Sequence, residues 1–343
     1  MNTCFIIYNP AAGQGSAAER LTAVTAELER HSIPFELALT GGRGEAIELA
    51  YRAAGRSDLR TVVAAGGDGT VNEVLNGLMR ARAEGRPVPP LGVICIGRGN
   101  DFAYGAGIPT DCPGSIANLV SGAPVWMDVG YLRGGVFPEG RYFGNGIGIG
   151  FDTIVGFEAA RMKRVKGFSA YVLGAIKALL FYYRAPLLRL TTDEGVVERP
   201  AIQVSVMNGR RMGGAFLMAP RAEPADGLLD LCIAGTPRRG AMLALIVRYL
   251  KGTQDGHPHI TMSRTRRFGV ISEDGGIAVH ADGETVSVDD ATLEVECIPG
   301  ALEVVCATTP AREEASADAV SRDAEPRLAA PPDRDADTVD GPV

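Results

Sequence analysis

At 343 residues, with 46% hydrophobic and 22% charged content, the chain is long enough for two domains and has an ordinary globular composition. Its net charge of −7 argues against a general nucleic-acid binder, and much of that charge sits in Ala311–Val343, where 9 acidic residues face 4 basic ones. Six scattered cysteines without a Cys-x-x-Cys pair indicate neither a zinc site nor a disulfide framework, and Cys4, Cys95 and Cys306 read as core residues. The N-terminus runs straight into a strand without a signal-peptide pattern, and no window of 18 apolar residues occurs. The expected setting is cytoplasmic.

The first third alternates strand and helix signals. Cys4–Tyr8, Phe35–Leu39, Thr61–Ala65 and Leu91–Ile96 read as strands. Ala17–Arg30, Glu45–Ala54 and Val71–Glu84 read as helices, the first capped by Ser16. This βα rhythm predicts a doubly wound parallel sheet over residues 1–128. The turns Asn9–Gly13, Thr40–Gly44, Gly66–Thr70 and Gly97–Asp101 each follow a strand, so they meet at one rim, where such sheets bind ligands.

From about Asp128 the pattern becomes short alternating runs broken by Gly and Pro. These are Val129–Leu132, Tyr142–Gly146, Leu187–Thr192, Ala201–Met207, Leu228–Ile233, Arg267–Ile271, Ile277–Ala281, Thr285–Val288 and Leu293–Ile298. They predict a β-sandwich over 129–301, interrupted by helices near Ile154–Tyr183 and Ala241–Leu250. Leu302–Ala307 reads as a last strand returning to the first domain, and 308–343 as a disordered acidic tail. Gly146-Ile147-Gly148-Ile149-Gly150 has the wrong spacing for a dinucleotide fingerprint and reads as a strand or turn near the cleft.

The string Gly66-Gly67-Asp68-Gly69-Thr70-Val71-Asn72-Glu73-Val74-Leu75-Asn76-Gly77 is the most informative piece. Its glycines let backbone approach an anion, and the helix that follows offers free N–H groups and partial positive charge. Asp68 would repel phosphates unless a cation intervenes, which points to a nucleotide–Mg²⁺ site. No Walker-type P-loop and no His-Glu-x-x-His are present.

The string resembles the diacylglycerol kinase catalytic-domain family, bacterial lipid kinases related to diacylglycerol, sphingosine and ceramide kinases. Asn9-Pro10-Ala11-Ala12-Gly13, Gly97-Arg98-Gly99-Asn100-Asp101-Phe102-Ala103, Asp226-Gly227-Leu228-Leu229-Asp230 and Asp282-Gly283-Glu284 are similar to further family motifs, in the right order over roughly 1–307. The resemblance implies a first domain like that of NAD kinase and phosphofructokinase. It implies nucleotide contacts from Asn9, Pro10, Gly13, Thr40, Arg98, Asn100 and Asp101, beside the glycine string itself. It implies Mg²⁺ on Asp226 and the carbonyls of Glu223 and Leu228, and ATP as co-substrate. Glu284 would be the general base, with Asp68 and Asp282 also catalytic.

Blander readings stand beside these. Thr40 and Asp226 can cap turns, Asp101 can cap a helix, and Asp282-Gly283 can be a hairpin turn. Arg98 replaces the family's usual Thr, and either contacts phosphate or blocks it. His280 reads as a strand residue. Residues 161–183 pair a basic start with an apolar stretch, suiting either core packing or transient membrane contact. The expected function is transfer of the γ-phosphate to a lipid hydroxyl, diacylglycerol first. The alternatives are phosphatidylglycerol or a sphingoid base, a soluble-acceptor enzyme such as NAD kinase, or a degenerate nucleotide- or lipid-binding regulator. No nucleic-acid partner is expected, and a homodimer is left open.

Overall fold

The computed structural model describes residues 3–13, 15–161, 173, 174, 177, 178 and 181–307. Strands β1 (Thr3–Tyr8), β2 (Phe35–Leu39), β3 (Leu59–Gly66) and β4 (Leu91–Cys95) alternate with helices α1 (Ala17–Arg30), α2 (Glu45–Ala53) and α3 (Asp68–Ala83). Short α4 (Asp101–Gly105) and α5 (Cys112–Ser121) follow. The strands are parallel, in the order β2-β1-β3-β4. Val62, Val63, Ala64 and Ala65 are all buried, as expected for a strand covered on both faces. On one face α2 and α3 pack on Ile7, Val62 and Ala64. On the other, Val24 and Leu28 of α1 and Ile116 and Leu119 of α5 pack on Ile6, Tyr8 and Ile94. Helices α2 and α3 approach closely because Gly77 has no side chain: a Cβ there would collide with Ile47 O and Ala50.

The second half holds β5 (Ala123–Gly134), β6 (Phe137–Phe143), β7 (Gly146–Gly150), α6 (Phe151–Arg161), β8 (Leu187–Thr192), β9 (Gly195–Pro200) and β10 (Gln203–Met207). Then come β11 (Leu229–Ala234), α7 (Arg239–Lys251), β12 (Ile260–Thr265), β13 (Arg267–Ser272), β14 (Ile277–Ala281), β15 (Glu284–Asp290) and β16 (Thr292–Cys306). The first sheet continues past β4 through β16, β13, β8 and β9, with β5 and β6 attached at β16. A second, antiparallel sheet has the order β12-β11-β10-β7-β14-β15. The two sheets enclose a core that includes Leu132, Phe143, Ile147, Val206, Leu231, Val270 and Val295. The outer face of the second sheet is covered by α6 and α7. An α/β unit followed by an antiparallel sandwich is therefore the observed architecture.

Several elements differ from expectation. Helix α3 begins at Asp68 rather than Val71, so Asp68 lies in the first helical turn. Tyr142–Gly146 is not one strand, because the N–H groups of Gly144, Asn145 and Gly146 turn onto the Asp282 carboxylate between β6 and β7. Leu293–Ile298 and Leu302–Ala307 belong to one strand of 15 residues, which pairs with β13 and β5 and reaches β4 at Val304. Most of the basic-to-apolar stretch at 161–183, and the tail from 308, lie outside the described residues.

Candidate active site

Three glycine-bearing loops, after β1, β3 and β4, and the β2–α2 loop meet at the carboxyl edge of the parallel strands. They wall a cleft of about 670 Å³. Asn9 N–H donates to Ala65 O, and its side chain accepts from Ala11 N at 2.9 Å while Nδ2 donates to Thr70 Oγ1 at 3.0 Å. The first loop is thereby tied to the first turn of α3. Gly13 has φ 78, and a Cβ there would meet Ile96 O at 2.8 Å, so only glycine fits. Gly67 and Gly97 lie backbone against backbone and bring the third and fourth loops together.

The second loop is held by Glu73 of α3. Its carboxylate accepts from Gly44 N at 2.8 Å and Ala46 N at 3.3 Å, at the start of α2. Thr40 N–H donates to Tyr8 O. Arg98 is exposed on the cleft wall and, among the described residues, makes no hydrogen bond or ion pair.

Behind the cleft, half-buried Asp68 and buried Asp101 form an acidic pair. Asp68 Oδ1 accepts from Phe102 N at 3.1 Å, linking α3 to α4. Burial pushes its carboxyl above the usual range, against the backbone hydrogen bonds that pull it down. Asp101 accepts from Arg211 Nε at 2.8 Å and Gly214 N at 3.0 Å. Burial first, then the charge of Asp68, push Asp101 up to about 6. Arg211 also donates to Gly99 O and stacks its guanidinium 4.0 Å from the Tyr104 ring centroid. Arg211 sits in a loop with no periodic signal, and sequence reasoning missed it.

Opposite the glycine loops stands Glu284, the first residue of β15. Asp282 and Gly283 form the two-residue turn between β14 and β15, with φ 45 and 81. The hairpin reading holds at this turn, and Glu284 follows it directly. The Asp282 carboxylate accepts from Gly144 N, Asn145 N, Gly146 N and Asn72 Nδ2, at 2.7, 3.0, 2.9 and 3.0 Å. Asp282 fastens the turn to α3. Glu284 projects into the cleft, paired with Arg43 at 3.1 Å and Arg141 at 2.8 Å. Arg141 also donates to Asn72 Oδ1 at 3.0 Å.

The structure therefore brings Asn9, Pro10, Gly13, Thr40, Gly67, Gly69, Thr70, Glu73, Arg98 and Glu284 to one cleft, with Arg43 and Thr285 added. Gly66, Asp68, Asn72, Asn100, Asp101 and Asp282 stand behind its wall and hold it. Asn100, at φ 52, donates from Nδ2 to Gly97 O and Thr110 O, which shapes the fourth loop.

The Asp226 loop lies outside this cleft lining. Asp226 Oδ1 accepts from Leu228 N at 3.0 Å, and Oδ2 pairs with Arg264 at 3.2 Å. Glu223 O accepts from Ala225 N and Asp226 N. Asp128 clamps the loop by accepting from Gly227 N and Gly300 N. Burial and the Asp226 charge push Asp230 up to about 6. Arg264 thus neutralises one side of the Asp226 carboxylate, and the Glu223 carbonyl closes the turn within the loop. Among the described residues no group of three His, Cys, Asp or Glu side chains is placed to hold a metal.

The diacylglycerol kinase catalytic domain family matches residues 3–132, and the YegS C-terminal NAD kinase beta sandwich-like domain family matches residues 145–306. A diacylglycerol kinase of Mycobacterium tuberculosis (strain CDC 1551 / Oshkosh) is 31% identical over 300 residues, 87% of this chain and 93% of that protein. A diacylglycerol kinase of Bacillus subtilis (strain 168) is 30% identical over 292 residues, covering 83% and 90%. The fold is that of a diacylglycerol kinase crystal structure from Bacillus anthracis str. Sterne, with TM-score 0.67, 22% identity and 89% and 96% coverage. With glycine loops facing an acidic hairpin and relatives that span nearly the whole described chain, this protein belongs to the diacylglycerol kinase family of lipid kinases.

Proposed function

We propose that this protein transfers the γ-phosphate of MgATP to a hydroxyl of diacylglycerol, giving phosphatidic acid and ADP. The observation that carries the reading is Glu284 on the wall of the same cleft as Gly67, Gly69, Thr70 and Arg98. Loops suited to phosphate face a carboxylate suited to an alcohol. The amino-terminal end of α3 turns its partial positive charge toward the phosphates. Arg98, which has no partner among the described residues, is available to a phosphate oxygen. Asp68 and Asp101 fix α4 and the fourth loop. MgATP brings the cation that offsets phosphate charge. Glu284, held by Arg43 and Arg141, accepts the acceptor proton as its oxygen bonds to the γ-phosphorus and the bond to ADP breaks.

The acceptor lives in a membrane, while no helix among the described residues is long and apolar enough to cross one. We place the enzyme in the cytoplasm, in transient contact with the bilayer, and exposed Phe181 and Tyr182 beside Arg184 support that contact. Incubation with MgATP and diacylglycerol in mixed micelles is expected to yield phosphatidic acid, and chelation of Mg²⁺ to abolish it. Absence of that product at saturating MgATP would overturn the reading.

The Asp101 carboxyl is expected to make turnover pH-dependent. Below about 6 it is protonated and its pairing with Arg211 weakens; above, it is ionised. The rate is expected to fall on the acid side of that value, and an Asp101→Asn variant to lose this limb. A pH profile of kcat/KM for both proteins checks it.

A further inference from the structure

Glu284 stands between two guanidinium groups that are held very differently. Arg141 is 14% exposed; it lies 2.8 Å from Glu284 Oε2, donates to Asn72 Oδ1 at 3.0 Å and covers the Phe137 ring, 5.4 Å from its centroid. It stands outside the lining of the cleft. Arg43 is 75% exposed, lines the cleft, and donates from Nη2 to Glu284 Oε1 at 3.1 Å. Among the described residues that is its one hydrogen-bond partner, so the other N–H donors of its guanidinium are unused. The acids nearest to it in the loop are engaged elsewhere: Glu45 accepts from Gly41 N, and Glu73 from Gly44 N and Ala46 N. Gly42 and Gly44 flank Arg43, and even a Cβ on either would meet nothing within 4 Å, so the space around its side chain is open.

The position of the base fixes how far Arg43 is from the reacting phosphate. A carboxylate oxygen and the hydroxyl it deprotonates lie about 3 Å apart, and that hydroxyl oxygen lies roughly 3–3.5 Å from the phosphorus it attacks. The γ-phosphorus therefore comes within roughly 6 Å of Glu284 Oε1. A guanidinium fork bridges such a gap, with one N–H on a carboxylate oxygen and another on a phosphate oxygen. Arg43 already has the first of these contacts, and its unused donors stand on the wall it shares with Thr40, Gly41 and Gly42. A γ-phosphate gives those donors an acceptor; a diphosphate ends short of them.

We infer that Arg43 bridges Glu284 and the γ-phosphate, and that this bridge makes the cleft distinguish ATP from ADP. The inference rests on the kinase reading with Glu284 as the base. The bridge has two consequences. It sets the base at a fixed distance from the phosphorus only while a triphosphate is bound. It also releases ADP readily, because the nucleotide loses this contact when its γ-phosphate departs.

Calorimetry on the full chain, without lipid, tests it. The affinities for MgADP and for the magnesium complex of adenylyl imidodiphosphate, an ATP analogue with an uncleavable terminal bond, are measured for wild type, Arg43→Lys and Arg43→Ala. Arg43→Ala is expected to bind the triphosphate analogue about tenfold or more weakly and MgADP within about twofold of wild type, the scale of one lost charge-assisted hydrogen bond. Arg43→Lys keeps the charge without the fork and is expected to fall between wild type and Arg43→Ala on the triphosphate analogue. A side chain this exposed adds little to stability, so both variants stay folded. A crystal structure of the wild-type analogue complex is expected to show Arg43 touching both Glu284 and a γ-phosphate oxygen. An equal loss on both nucleotides, no loss on either, or an Arg43 that touches only Glu284 in that complex overturns this inference and leaves the kinase reading standing. A wild type that binds neither nucleotide overturns the kinase reading and the inference with it.

Discussion

Glu284→Gln is expected to lower kcat about 10³-fold while the KM for ATP stays near wild type, the range for loss of a positioned general base. Glutamine keeps the size of the side chain and can still accept hydrogen bonds from Arg43 and Arg141, but it cannot take a proton from the acceptor. The pair with Arg141 is mostly buried, so some stability is lost with the charge. A thermal melt separates that loss from the loss of turnover. The split between kcat and KM is the decisive readout. A kcat within a few-fold of wild type would remove Glu284 as the base and leave it as a tether for Arg141.

Asp68→Asn carries the second large effect. Asp68 joins α3 to α4 through Phe102 N and borders Gly99, which has no Cβ to collide with its Oδ2. Asparagine weakens the charge-assisted bond and with it the fit of the fourth loop. About a 100-fold fall in kcat/KM for ATP is expected, the scale of a lost hydrogen bond to a charged group of about 3 kcal/mol. The stability effect has the opposite sign. Burial raises the folded carboxyl above its unfolded value, so holding it ionised near neutral pH works against the fold. The melting temperature of Asp68→Asn is therefore expected to hold or rise. A drop in both activity and melting temperature would make Asp68 a scaffold residue first.

The parallel half was legible because its signals are local. Each buried strand is a short apolar run followed by glycine, and α1 and β2 run over the residues read from periodicity. Other elements were hidden by residues that usually break structure. Pro299-Gly300 reads as a turn, yet it lies inside β16 as a bulge, with Gly300 at φ 52 and its N–H on Asp128 Oδ1. Helix α5 contains Pro, Gly, Ser and Asn, and its signal was the cap instead: Asp111 accepts from Gly114 N, with Pro at the helix start. Edge strand β9 exposes Val196 and Val197 and shows no burial alternation.

The site divides in the same way. Glycine loops and the Asp282-Gly283 turn carry their conformation in adjacent residues. The partners that orient the acids do not: Arg43 and Arg141 reach Glu284 from distant parts of the chain, as Arg211 reaches Asp101. Arg264 on Asp226 is a fold-level pairing of the same kind.

The most direct test of the central claim is transfer from γ-labelled ATP with Mg²⁺ to diacylglycerol, phosphatidylglycerol or sphingosine in mixed micelles, with NAD as a soluble comparator. The account predicts label in phosphatidic acid and none in NAD. Label in NAD with every lipid unlabelled would contradict it.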